Sequence, residues 1–160
     1  MDLEFVKNNL VFNNRVCGTI IKDNKVLLVH YYDDDYWTFI GGRPLFGEII
    51  DEAIVREFQE ETGTPVTIIR LLAFLENFFV FENKMYHQHL FFYLLNDNNQ
   101  FPIFDGEKEI IDEPGVTYRW FDIDKLNKIK IKPSKLSNLI YNIPKHPLFL
   151  QEREENFKID

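Results

Sequence analysis

One cysteine, Cys17, stands in 160 residues. No disulfide can form within the chain, and the expected compartment is the reducing cytoplasm. Positive charge is also short: 18 basic residues face 26 acidic ones, for a net charge of -8. That balance removes the broad basic footprint DNA or an anionic membrane surface would require. No apolar run approaches the ~20 residues that span a bilayer, and Arg70 and Glu76 interrupt the most apolar region. The N-terminus, Met1-Asp2-Leu3-Glu4, is acidic and lacks the charged-then-apolar pattern of a targeting signal. Repeats and low-complexity linkers are absent as well.

What the chain does have is apolar and aromatic bulk. Hydrophobic residues make up 45%, with 16 Phe and seven Tyr, enough to build one core. Its length predicts a single domain over residues 1–160. Residues 1–15 read as a polar lead-in strand or arm. Residues 16–22 and 25–32, joined by Asp23-Asn24, predict a hairpin. Residues 33–35 are three aspartates that predict a solvated turn, and 36–40 a short strand. Residues 66–81 predict one bent strand or two, returning through a turn at 82–84 as a strand over 85–95. An acidic segment, 107–113, precedes a short strand at 118–121 and a turn or helical start at 122–126. Pro133 and the spacing of Leu136, Leu139 and Ile140 predict a helix over about 134–142. The charged tail, 151–160, is expected to fray or dock lightly. Strands and hairpins around a central helix imply an α+β sandwich.

The chain is organised around residues 41–63. Gly41 and Gly42 permit backbone conformations a Cβ forbids. Residues 48–62 hold no Gly or Pro and are rich in helix formers; Gly63 suits a left-handed helix cap, and Pro65 blocks continuation. At about 100° per residue, Ile50, Ala53, Ile54 and Phe58 form an apolar stripe. Glu57 and Glu61 fall inside that stripe, with Glu60 beside it. These acids gather in the last turns, where the helix dipole favours cations, and they repel one another at i, i+3 and i+4. Arg56 can neutralise only one. A hard divalent cation such as Mg²⁺ takes carboxylate oxygens and keeps waters for substrate phosphates. The helix therefore reads as an acidic metal cradle beside a glycine loop.

This stretch resembles the signature of the Nudix (MutT-like) hydrolases, G-x5-E-x7-R-E-U-x-E-E-x-G-U, with U a bulky apolar residue. Gly42, Glu48, Arg56, Glu57, Phe58, Glu60, Glu61 and Gly63 match at the required spacing. Thr64 departs from the final apolar position of the box at 42–64, a β-branched residue that can still begin a strand. The resemblance implies the Nudix fold, a mixed β-sheet sandwiched between α-helices. It implies hydrolysis of a diphosphate linkage in a nucleoside diphosphate derivative or nucleoside triphosphate, with Mg²⁺ or Mn²⁺ on the phosphates. On the matching positions, Glu57 and Glu61 are the expected metal ligands, with Glu60 direct or through water and the Gly41 or Gly42 carbonyl completing the shell. Glu57 is alternatively the base, and Arg56 is expected to pair with Glu48 or Glu57. A monomer or homodimer acting on a small nucleotide is implied. Two other readings stand beside it, a non-catalytic nucleotide-sensing domain and an RNA 5′-end pyrophosphohydrolase.

Substrate choice lies outside the box. The Pro that ADP-ribose relatives tend to carry roughly 15 residues downstream is absent from Phe78-Phe79-Val80-Phe81. The nearby Tyr of dinucleoside polyphosphate relatives and the long motif of NADH-cleaving relatives are absent too. The size is similar to that of triphosphate-sanitising members. Substrate contacts are expected from Gly41, Arg43, Phe79 and His87. Phe78, Phe81, Phe91, Phe92, Tyr93, Tyr32, Tyr36 and Trp37 are further candidates for holding a base. A supporting carboxylate is expected from among Glu76, Glu82, Glu107, Glu109, Asp112 and Glu113. His87 and His89 share a strand face and read as packed strand histidines, as phosphate or base contacts, or as a transition-metal pair that lacks a third Cys or His at ligand spacing. Gln88 faces the other way.

Overall fold

The computed structural model describes residues 1–159. The longest strands follow the apolar runs. β2 (Leu10–Thr19), β6 (Thr67–Phe81) and β7 (Lys84–Asn96) form the centre of a six-stranded sheet ordered β1-β2-β7-β6-β10. In it β1 is Glu4–Lys7, β10 is Leu148–Arg153, and β5 (Ile40–Gly42) pairs with β2. β2 and β7 run parallel, as do β6 and β10; the other pairs are antiparallel. A second sheet holds β3 (Ile21–Lys22), β4 (Lys25–Tyr31), β9 (Val116–Asp122) and β8 (Glu107–Glu109), in the order β3-β4-β9-β8. The strands are thus divided between two sheets rather than gathered in one. Ile20 marks the break, because the chain leaves β2 there and enters β3 one residue later.

Helix α1 (Ile50–Thr62) buries Ala53, Ile54 and Phe58 against Val16 of β2, Leu27 and Val29 of β4, and Trp120 of β9. Helix α2 (Ser134–Tyr141) buries Leu136 and Ile140 against Cys17, Leu28, Phe92 and Phe39. The two cores lie on opposite faces of the strands, since alternate residues of β2 and β4 go to alternate cores. Burial pushes the Cys17 thiol up to about 12, so it packs as a small hydrophobe.

The tail docks more firmly than expected at its start: Leu148–Arg153 adds β10 in parallel to β6, with Gln151 opposite Glu76, and Phe157 packs on Phe78. An open sheet edge and Leu150, which packs on the α2 core, outweigh the charge of the segment. The lead-in also does more than expected, because β2 begins at Leu10 and carries Asn13 and Arg15 into the sheet. β6 is one strand across the whole predicted stretch, with register shifts near Ile68 and Leu71. No helix among the described residues is long and apolar enough to cross a membrane.

Candidate active site on helix α1

Gly41 and Gly42 lie on β5, opposite Cys17 and Val16 of β2. The pairing is too close for side chains. A Cβ on Gly41 would stand 2.0 Å from the Val16 carbonyl oxygen, and one on Gly42 2.3 Å from the Glu57 carboxylate carbon. The missing Cβ of Gly42 is thus the space into which Glu57 leans. At the far end Gly63 caps α1 at φ 72°, donating its N–H to the Gln59 carbonyl at 2.8 Å.

Arg56 organises the acids. Its Nε donates to Glu48 Oε1 at 2.7 Å and its Nη2 to Glu48 Oε2 at 2.9 Å, a two-pronged clamp. Its Nη1 donates to Glu57 Oε1 at 2.8 Å and to Glu60 Oε2 at 3.1 Å, and Nη2 also reaches the Arg43 carbonyl at 3.3 Å. Glu48 Oε2 further accepts the Leu45 N–H at 2.8 Å. These bonds hold the Glu48 carboxyl below its ordinary range, the Arg56 hydrogen bonds being the chief cause. Lysine cannot reproduce a planar fork shared among three carboxylates. Where these acids serve as metal ligands, Arg56→Lys is expected to lower turnover about 10- to 100-fold, the usual loss when an outer partner of a metal ligand is removed. Steady-state kinetics with a melting curve as fold control checks this; unchanged kcat would contradict the clamp.

Glu61 is different. It is mostly buried, and its Oε2 has no hydrogen-bond partner. Burial pushes its carboxyl up to about 8; the Arg15 guanidinium opposes the shift, while Glu57, Glu113 and Glu60 add to it. Glu57 is also raised by burial, against the pull of Arg56. Two adjacent acids are therefore held where their charged forms are disfavoured. A buried carboxylate oxygen without a partner, a second acid pressed into the Gly42 gap and an exposed third, Glu60, make a donor set that suits a hard divalent cation.

Arg15 and Tyr31 face the same region. Arg15 donates to the Gly41 carbonyl at 3.2 Å and to the Tyr31 hydroxyl at 3.3 Å. Desolvation lifts the Tyr31 phenol to about 12, keeping it neutral. Beside them opens a pocket of about 740 Å³, lined by Arg15, Tyr31, Arg43, Phe79, Tyr86 and Gln88 among others. Phe79 and Tyr86 stack with ring centroids 4.8 Å apart and planes 6° from parallel. Gln88 donates to Asn13 at 3.1 Å at the pocket wall.

Of the residues expected around the substrate, Arg43, Phe79, Phe81, Tyr32 and Tyr36 line this pocket, and Gly41 adjoins it through Arg15. His87 does not: it lies on the opposite sheet face, because alternation sends Tyr86 and Gln88 to the pocket. Phe78 stacks on His87, Trp37 packs on Phe121, and Phe92 is core. Among the candidate supporting acids, Glu113 acts electrostatically on Glu61 and accepts the Tyr32 hydroxyl. The acidic segment also docks on the helix end, Ile111 donating its N–H to the Glu61 carbonyl at 3.0 Å. Glu82 lines the pocket, Glu107 accepts the Thr117 hydroxyl, and Glu76 lies with His87 and His89. Sequence reasoning missed Arg15. The signal was a single arginine directly before the apolar run 16–21, inside a segment read as a polar arm.

A glycine strand is thus pressed on a glutamate helix, with one arginine clamping Glu57 and Glu60 of the helix and Glu48 just before it. The NUDIX domain profile matches residues 12–141, and the chain belongs to that family. It is similar to the oxidized purine nucleoside triphosphate hydrolase of Danio rerio, 32% identical over 90 residues that cover 56% of this chain and 51% of that protein. A putative ADP-ribose pyrophosphatase of Bacillus subtilis is 29% identical over 136 residues, covering 82% of this chain and 62% of that protein. The chain thus spans about half to three fifths of the length of these relatives. Among solved structures, the mutator MutT protein of Bacillus halodurans superposes with a TM-score of 0.60 at 17% identity, covering 91% of this chain and 93% of that one. A NUDIX hydrolase from Nitrosomonas europaea gives 0.60 at 20% identity, covering 89% and 79%. These structures share the fold, a mixed α+β architecture with a large sheet and few helices.

Proposed function

We propose that the protein is a Mg²⁺- or Mn²⁺-dependent pyrophosphohydrolase that cleaves a diphosphate linkage in a nucleoside diphosphate derivative or nucleoside triphosphate. The observation that carries this reading is the partnerless, buried Oε2 of Glu61 beside Glu57. Glu57 and Glu61, with Glu60 and the carbonyl of Gly42, are the groups that would hold the metal. When bound, the cation would supply positive charge to phosphate oxygens and lower the pKa of a coordinated water. The chain's own residues do the rest. Arg56 fixes Glu48, Glu57 and Glu60 in register. Glu57 is alternatively the base that receives the proton of the attacking water, in which case Glu61, Glu60 and the Gly42 carbonyl would hold the metal. Glu113, on the loop that docks on α1, is the supporting acid outside the box. Arg15 and Arg43 place positive charge between the helix and the pocket, where a diphosphate would pass. The Phe79–Tyr86 stack offers a flat face to a base.

The names of the relatives favour oxidised purine triphosphates and ADP-ribose as the first substrates to try. The test is phosphate, pyrophosphate or nucleoside monophosphate release from a panel of ordinary and oxidised nucleoside triphosphates, ADP-ribose, nucleotide sugars, dinucleoside polyphosphates and 5′-triphosphorylated RNA, with Mg²⁺ or Mn²⁺. The expected result is one strongly preferred small nucleotide, with loss of turnover under chelation. Tight nucleotide binding by calorimetry without turnover would replace this reading with that of a sensor. Preference for the RNA would replace it with an RNA 5′-end activity.

A further inference from the structure

The sheet face opposite the pocket carries a second group of metal-ligating side chains. Glu76 of β6 lies directly across from His89 of β7 and diagonally from His87, which pairs with Phe78. Directly opposed and diagonal residues on one face of an antiparallel pair are within reach of each other's side chains. The Nε2 atoms of His87 and His89 each lie 3.9 Å from Glu76 Oε2, and one ligand atom from each residue falls within 4.8 Å of the others. These separations are too long for hydrogen bonds. The His87 Nε2 is buried with no partner. Three donor atoms therefore converge on one point without satisfying one another.

Their surroundings are those of a built site. The second oxygen of Glu76, Oε1, accepts the Gln151 amide at 3.1 Å, so β10 orients the carboxylate and leaves Oε2 toward the imidazoles. Phe78 stacks on His87 at 4.4 Å, Phe12 meets both imidazoles edge-on at 5.4 and 5.0 Å, and Phe74 packs on His89 at 5.2 Å. Aromatic neighbours on these faces fix the orientation of the two rings.

We propose that Glu76, His87 and His89 form a second metal site, chemically unlike the carboxylate site of α1, for a divalent transition cation of the Zn²⁺ class. Two imidazoles and one carboxylate with open positions suit such an ion and not Mg²⁺, which takes oxygen ligands. Ligand bonds of about 2.0–2.1 Å place tetrahedral donors roughly 3.3 Å apart, so closure needs only small side-chain rotations. Bound metal would cross-link β6 and β7 and, through Gln151, hold β10 to them.

The test uses the full chain, stripped by chelator, titrated with Co²⁺ in excess Mg²⁺, so that the hard carboxylate site is already saturated. The expected result is one Co²⁺ per chain with the visible absorption of an imidazole-ligated ion, displaced by Zn²⁺. His87→Ala and His89→Ala are each expected to abolish that absorption, and Gln151→Ala to weaken binding about 10-fold. Far-ultraviolet circular dichroism of each variant, with His89→Gln as a gentler replacement, separates lost ligation from lost fold. Absence of the absorption in the wild type would overturn the site. So would an unchanged spectrum in folded histidine variants, which would put the ion on α1.

Discussion

On the proposed metal role of Glu61, Glu61→Gln is expected to cut kcat by about three orders of magnitude or more, since a metal-phosphate contact is worth several kcal/mol of transition-state stabilisation. The same change is expected to stabilise the metal-free protein above pH 8. The two effects have opposite signs for one reason. Glu61 is buried, and its Oε2 has no partner, so its charge is useful only with a cation present. Gln keeps the shape and removes the charge. An uncompensated buried group costs about 1–3 kcal/mol, and more when it is charged; the gain is that excess cost of the charge.

The pH dependence follows the same logic. The folded-state carboxyl titrates at about 8, against an ordinary 4.5. Between those values the folded chain retains a proton that the unfolded chain has released. Raising pH therefore favours unfolding, from about 4.5 until the group is ionised in both states above about 8. Glu57, also raised, adds in the same direction. The melting temperature of chelator-treated protein should fall as pH rises through this window. Saturating Mg²⁺ should remove most of the slope, because binding releases the proton, and Glu61→Gln should flatten it without metal. A slope of the opposite sign, or a Glu61→Gln variant with wild-type kcat, would remove Glu61 from the metal site.

The box was legible because its chemistry is local. Acids at helical spacing inside an apolar stripe are a contradiction that one chain segment displays by itself, and Ala53, Ile54 and Phe58 are buried as that stripe requires. The pocket was less legible, being assembled from β2, the turn after β4, β6 and β7. Phe79 and His87 were equal candidates until strand alternation and register put them on opposite faces. Arg15 was invisible as a site residue because its partners, Gly41 and Tyr31, are 26 and 16 residues away. Glu76 failed as a histidine partner for the same reason: only the β6–β7 register brings it to His89. The division into two sheets and the capture of Leu148–Arg153 as an edge strand likewise depend on pairings between distant segments. No periodicity within either segment records them.

Gly42→Ala is expected to lower kcat by about 100-fold or more, because a displacement near 1 Å at a reacting centre costs that much. The added methyl would lie 2.3 Å from the Glu57 carboxylate carbon and from Oε2, and 2.5 Å from Oε1. Contacts that short cannot persist, so either Glu57 or β5 must move. Glu57 is held on its other side by Arg56 at 2.8 Å, and Arg56 is in turn held by Glu48. Moving Glu57 therefore disturbs the whole clamp, while β5 is fixed by its pairing with Val16 and Cys17. Overpacking of this kind costs about 1–3 kcal/mol in stability, which leaves a folded protein in which the loss of activity can be read. Gly106→Ala separates the two effects. Nothing lies within 4 Å of a Cβ there, but φ is +75°, so that variant should lose about 1 kcal/mol of stability with kcat intact. Melting curves and steady-state kinetics on the pair decide the matter. If Gly42→Ala retains kcat at wild-type stability, the Glu57 carboxylate is free to leave the glycine gap. Its position there would then have no part in catalysis.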